Sequence, residues 1–266
     1  MQRAHKATLK PVAAKAPDIP FSNYDIETEQ QLFTLANQSR KQAGAPLLVL
    51  DAGLSRAARI HAEAMVAAQQ LSHQFDGEPS LSTRLADISH LHLDQEGENV
   101  ALDSDAQHGH EHLMLSPQHR ANLLNPAYNV AGLGVIRSGD QLYIVQVFGH
   151  ALPNYSPSEV KDRIAVAVNQ SRRAASQKDL QRLDLKNADA AACSMAQADK
   201  LTTASALIPS AGSTVFTYTS QHPETLPAVS GRVIAGRSLR SFSVGTCFAR
   251  TDNYPTGVYW VVLSLE

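Results

Sequence analysis

The 266-residue chain has only two cysteines, one tryptophan and no surplus of charge of either sign. Two cysteines are too few for a disulfide-stapled scaffold or a structural zinc cage; Cys193 and Cys247 allow one disulfide or two buried thiols. Lys and Arg number 23 against 25 Asp and Glu, a net charge of −2. That balance argues against a nucleic-acid partner, which needs clustered basic residues, and gives no attraction to an anionic membrane. No stretch approaches the ~20 apolar residues of a bilayer span, so no transmembrane segment is expected. The opening MQRAHKATLKPVAAKAPDIP has Val12-Ala13-Ala14 as its longest apolar run, short of a signal-peptide core. Either the protein is not exported or a signal has been removed ahead of it. No GxSxG elbow, phosphate-cradling glycine loop or HExxH motif occurs; Met114 stands where the second histidine of HExxH would be.

What is present is core-forming material: 43% hydrophobic against 18% charged residues, enough for one large domain or two modest ones. Eight of the eleven histidines lie between His61 and His119, which places any chemistry in the first half.

Residues 1–26 read as a flexible leader broken by Pro11, Pro17 and Pro20. From Glu27 the spacing predicts an amphipathic helix with Leu32, Leu35, Ala36 and Ser39 on one face, stopped by Gly44 and Pro46. Asp51 is the expected N-cap of a second helix with the stripe Leu54, Ala58, His61, Met65 and Ala68, ending near Leu71-Ser72-His73. A polar, irregular stretch to about Gln95 includes a short helix at Leu81–Ile88. Ser116-Pro117 opens a helix that Asn125-Pro126 closes, with the Ser116 hydroxyl expected as its cap. Two strands, Val130–Ile136 and Gln141–Phe148, follow around the turn Arg137-Ser-Gly-Asp140. Helices first and a hairpin last give a layered α+β domain over 27–150, followed by a linker at 151–157.

Residues 158–266 repeat the first half in order. Asn37-Gln-Ser-Arg40 recurs as Asn169-Gln-Ser-Arg172, and Leu50-Asp51 as Leu183-Asp184. Glu96-Gly-Glu-Asn-Val100 lines up with Ala211-Gly-Ser-Thr-Val215, and the hairpin with its Gly132, Arg137 and Tyr143 with Gly245, Arg250 and Tyr259. A divergent second copy is expected. Ser213 stands opposite Glu98, about Ala206 opposite His73, and Gly231 or Arg232 opposite His119, so the copy does not repeat the chemistry. Cys193 and Cys247, matching Ile60 and Gly134, would face one core.

Three segments carry a resemblance: Leu71-Ser72-His73, Gly97-Glu98-Asn99-Val100-Ala101 and Ser116-Pro-Gln-His119-Arg-Ala-Asn-Leu-Leu124, followed by the strand Gly132-Leu-Gly134. In this order, over about residues 28–150, they resemble the bacterial branch of the CAP superfamily (cysteine-rich secretory proteins, antigen 5 and pathogenesis-related proteins). The resemblance implies a three-layer α-β-α sandwich with an open cleft, and a degenerate CAP-like α+β domain after it. It matches His73 and His119 to the two cleft histidines and Glu98 to the first cleft glutamate. Ser116 falls where many members have a second glutamate, and Leu113 where a tryptophan is common. It further implies a secreted or cell-envelope protein. Across the family the reported activities are heterogeneous: sterol or lipid binding, divalent-metal binding, proposed proteolysis and signalling by surface contact.

From the residues themselves, two neutral imidazoles and a carboxylate at His73, Glu98 and His119 suit zinc or another divalent cation with a position left for water. Without metal, Glu98 beside a histidine is a candidate general base, or a structural carboxylate holding loop amides. The ligand cleft is expected at His73, Glu98, Ser116 and His119, its ligand an unidentified lipid, peptide or protein. A metal-assisted hydrolase of a peptide or envelope polymer and a surface interaction module with a vestigial cleft are the competing classes. His108, His110 and His112 read as a solvated polar helix start and His61 as a satisfied core histidine, while His90 and His92 show no recognisable spacing.

Overall fold

The computed structural model describes residues 24–185, 187–202 and 213–266. The leader before Tyr24 and the positions at Ala206 and Ala211-Gly212 lie outside the described residues.

The first domain comprises α1 (Ile26–Gln42), β1 (Val49–Leu50), α2 (Ala52–Ala68), α3 (Leu81–Ile88), β2 (His92–Asp103), α4 (Ala106–Leu115), α5 (Pro117–Leu124), β3 (Val130–Ser138) and β4 (Gln141–Leu152). Its sheet has the order β1-β3-β4-β2, with β1 parallel to β3 and the other pairs antiparallel. Alternation along β3 and β4 sends Ile136, Tyr143, Val145 and Val147 toward α2 and α3. Leu133, Val135, Leu142 and Ile144 point to the α1 and α4 side. Both faces of the sheet are thus covered by helices, giving the three-layer α-β-α sandwich. Gly132 and Gly134 face α2 so closely that a Cβ at either would strike helix backbone, at Leu54–Ser55 and Ala58–Arg59 respectively.

The second domain has α6 (Pro157–Ala174), β5 (Gln181–Leu183), α7 (Ala188–Gln197), β6 (Thr214–Ser220), α8 (Ser230–Ile234), β7 (Ser241–Ala249) and β8 (Val258–Leu265). Its sheet order, β5-β7-β8-β6, reproduces the first with the same pairing directions. Tyr259, Val261 and Leu263 of β8 pack in the same core as Val160, Ile164 and Val168 of α6. Val258, Trp260 and Val262 pack instead with Ala188, Ala192 and Met195 of α7. Gly245 lies against Ala188 as Gly132 lies against Leu54. Cys193 on α7 and Cys247 on β7 form a disulfide, which decides between the two states the sequence leaves open. Helix α3 has no counterpart among the described residues of the second domain.

Several sequence expectations are corrected. The buried stripe of α1 is Thr28, Glu29, Leu32, Ala36 and Arg40, without Leu35 or Ser39. Arg40 is admitted to the core because its guanidinium donates to the carbonyls of Pro46, Leu123, Asn125 and Tyr128, using four of its five N–H donors. Helix α2 stops at Ala68, where Gln69 turns left-handed, short of Leu71–His73. The stretch read as irregular to Gln95 already contains the start of β2. The Ser116 hydroxyl makes no cap bond; Ser116 joins α4 to α5, whose first turn begins with Pro117.

Candidate functional site

Glu98 lies on β2, paired with Val147 of β4, and its carboxylate is 4% exposed. A carboxylate so far from water needs partners. His73 Nδ1 lies 3.0 Å from Oε1, and Arg84 Nη2 from α3 lies 3.1 Å from Oε2. His61 Nε2 stands 3.8 Å from Oε1 while donating at 2.9 Å to the Ser72 carbonyl. The other nitrogen of the ring, Nδ1, lies 2.7 Å from the Glu78 carboxylate. Arg84 also donates to the His73 carbonyl at 3.0 Å and lies 3.6 Å from Glu78. His61 is therefore part of the layer beneath the cleft as well as of the core, and Arg84 and Glu78 were missed by sequence reasoning. Their only signal was an arginine and a glutamate inside a stretch rich in loop residues.

The second motif is tied to the first by amides. Asn99 donates to the His119 carbonyl at 3.0 Å, and Asn122 donates to the Glu98 carbonyl at 3.1 Å and to the Asn99 side-chain oxygen at 3.2 Å. Tyr128 crosses Gly97, where a Cβ would meet its ring, and donates to the Glu96 carbonyl at 3.1 Å. The GEN strand and the α5 turn are thus spliced by side-chain amides, which carry both donor and acceptor. Burial pushes the His119 imidazole below the usual histidine range, and the neighbouring His73 pushes it further in the same direction.

His73, Glu98 and His119 are therefore brought together, but not as three ligands. Both Glu98 oxygens face cationic or donor groups of the protein, and among the described residues no group of three or more His, Cys, Asp or Glu is arranged to hold a metal ion. Ser116 has no hydrogen-bond link to this trio among the described residues. The imidazoles of His73 and His119 are the remaining nitrogen donors of the trio. His73 Nδ1 lies on the Glu98 carboxylate, which leaves Nε2 on the far side of a ring 59% exposed, and burial lowers the His119 imidazole from its ordinary value. A carboxylate oriented behind a histidine is the usual support for such a ligand.

Residues 33–148 match the family model described as "CAP: Cysteine-rich secretory protein family". These residues form a CAP domain. An extracellular protein containing an SCP domain from Bacillus anthracis is similar at 29% identity and a TM-score of 0.41, over 47% of this chain and 41% of that one. A cysteine-rich secretory protein from Staphylococcus aureus is similar at 21% identity and a TM-score of 0.38, over 49% and 40%. The chain thus spans well under half the length of these two bacterial proteins. Na-ASP-1 is similar at 9% identity with a TM-score of 0.50 over 91% of this chain and 90% of that one, so the likeness of fold runs through both sheets. No curated protein sequence matches. The CAP domain is followed by the degenerate CAP-like domain, in which the register places Thr217, not Ser213, at the Glu98 position: Glu98 and Gly132 both pair with Val147, as Thr217 and Gly245 both pair with Val262.

The remaining histidine cluster lies elsewhere. On α4, His108 pairs with Asp105 and His112 with Asp103, both at 2.6 Å and exposed, whereas His110 turns inward to the Ser39 hydroxyl at 2.8 Å. Among the described residues no helix is long and apolar enough to cross a membrane.

Proposed function

We propose that the chain is a secreted CAP protein of two units, 27–150 and 158–266 joined by 151–157, that binds a ligand at the cleft of the first. In this reading His73 and His119 are the two protein donors for a divalent cation such as zinc, and Glu98 orients His73 from behind. The observation that carries it is the buried Glu98 carboxylate on His73 Nδ1, which fixes the tautomer and points Nε2 away from the protein's own acceptor. A bound cation would supply a Lewis-acidic point for an anionic or carbonyl group of a lipid, peptide or protein ligand. The chain's own residues do the rest: Arg84 neutralises Glu98 so that two buried charges do not stand unpaired, and Asn99 and Asn122 hold His119 beside it.

Secretion is supported by the disulfide, a bond that persists in oxidising compartments. The hydrolase reading is weaker, because a general base must reach its substrate and the Glu98 carboxylate is only 4% exposed, with the Arg84 guanidinium beside Oε2.

Calorimetric titration with Zn2+ tests the proposal. Binding in the wild type that is lost in His73→Ala and in His119→Ala, but kept when His108, His110 and His112 are all replaced by Ala, is expected. Binding that follows the α4 histidines, or none in the wild type, overturns the metal cleft.

A further inference from the structure

The second domain bonds to the first along residues 86–94, and an arginine leads that contact. Arg250, just past β7, donates through Nη1 to the carbonyls of Ala86 and Ser89 at 2.7 and 2.8 Å, and through Nη2 to that of Leu91 at 2.9 Å. Ala86 lies in the last turn of α3 and Ser89 is its C-cap. Carbonyls at the end of a helix have no partner within it and carry the negative end of the helix dipole, so a guanidinium there satisfies both needs. No residue of the first domain's last α3 turn is basic; the cation comes from the other domain.

Helix α3 is the element that carries Arg84. One and a half turns before the end that Arg250 caps, Arg84 holds both the Glu98 carboxylate and the His73 carbonyl. The chain of contacts therefore runs from Arg250 through α3 to Arg84 and on to the two residues that set the His73 imidazole. The rest of the contact is separate. Thr256 and Gln221 both donate to the Leu93 carbonyl, at 2.8 and 3.3 Å, and His222 bonds Asp94 at 2.9 Å. His92 lies edge-on to Phe248 and Tyr259. These hold the start of β2 and leave α3 to Arg250.

We propose that Arg250 is a positioning residue for the cleft, and that the degenerate domain, having lost its own cleft residues, serves to cap α3 and so to fix Arg84, Glu98 and His73 in place. The tie to metal binding rests on the cleft reading above; the mechanical part does not. Arg250 touches no ligand in this arrangement and acts only through α3.

The test compares Arg250→Ala, Arg250→Lys and Thr256→Val in the full chain by amide hydrogen exchange and by Zn2+ calorimetry. In Arg250→Ala, amides of residues 72–90 exchange about tenfold faster or more, while those of β3, β4 and α6 keep wild-type rates. Arg250→Lys, a single point donor in place of a fork, lies between, and serves as the reporting variant should Arg250→Ala fail to fold. Thr256→Val, which removes one bond of the same interface, leaves 72–90 unchanged. Zn2+ affinity falls about tenfold in Arg250→Ala, the cost typical of losing support behind a metal ligand. Unchanged exchange at 72–90 in the arginine variants, or an equal change in Thr256→Val, overturns the proposal. Absence of Zn2+ binding in the wild type counts against the metal cleft alone, since the exchange result stands without metal.

Discussion

Arg172 sits in the second domain as Arg40 sits in the first. Arg40 Nε donates to Pro46, six residues on, and Nη1 to Leu123 and Asn125 at the end of α5; Arg172 Nε donates to Lys178, six residues on, and Nη1 to Ile234 and Gly236 at the end of α8. Asn37 and Asn169, three residues earlier, each exchange two hydrogen bonds with Leu48 and Leu180. The NQSR tetrapeptide is a fold device that ties the first helix of each copy to the edge strand and to the helix before the hairpin.

Its loss is costly in both halves. Arg40→Met or Arg172→Met leaves three or more carbonyls without a buried donor, and each is expected to destabilise its own domain by at least ~3 kcal/mol. Urea unfolding followed by residue-resolved NMR assigns each loss to its half; a loss under ~1 kcal/mol at either site contradicts the equivalence.

The glycines of β3 are close-approach residues. Gly134→Ala puts a methyl group into the Ala58–Arg59 backbone, which has no flexible end to yield. A loss of about 1–3 kcal/mol is expected in thermal or denaturant unfolding. Gly139→Ala, in a turn with open space around it, carries only the strain of its positive φ and serves as comparison.

The disulfide acts on the second domain alone. Closing a 54-residue separation constrains the unfolded chain by ~4 kcal/mol in the chain-entropy model, so reduction lowers second-domain stability by up to that amount. The first domain has no cysteine, and its amides near Glu98 keep their exchange rates unless the Arg250 contact is lost with the second domain.

Acid weakens the contact between the halves. Burial holds His92 below its ordinary value, against the opposing pull of Asp94 and with His222 and Arg250 adding to the depression. A base depressed on folding binds fewer protons when folded, so its full contribution is present above the unfolded value of about 6.5 and is lost as pH falls below that toward the folded value. Burial is the largest cause of the depression, and a backbone contact with Gly257 offsets it only in part. His92→Phe is expected to flatten the loss of urea midpoint between pH 7.5 and 5.0; an unchanged slope contradicts this.

Much of the fold was legible because its signals are local. The Leu81–Ile88 helix carries its Ser80 cap, the Pro117–Leu124 helix its first-turn proline and Asn125-Pro126 stop, and the β3–β4 hairpin its turn. Strand β2 was not legible, since HLDQEGENVALD shows no clean alternation: His92, Glu98 and Asn99 are buried polar residues, each excused by a distant partner or the domain contact. At the site, His73, Glu98 and His119 were named from motif, but Arg84 and Glu78 act across α3 and a loop, and their spacing along the chain encodes nothing of that. The expectation of a three-ligand metal site failed for the same reason: the guanidinium that occupies Glu98 was invisible until α3 was placed.

The most direct measurement is the 15N spectrum of the imidazoles as Zn2+ is added at neutral pH. Expected are coordination shifts at His73 Nε2 and at one nitrogen of His119, with His73 Nδ1 remaining protonated on Glu98 and the α4 histidines unmoved. Coordination through His73 Nδ1, or shifts confined to His108 and His112, would contradict a two-imidazole cleft supported by Glu98.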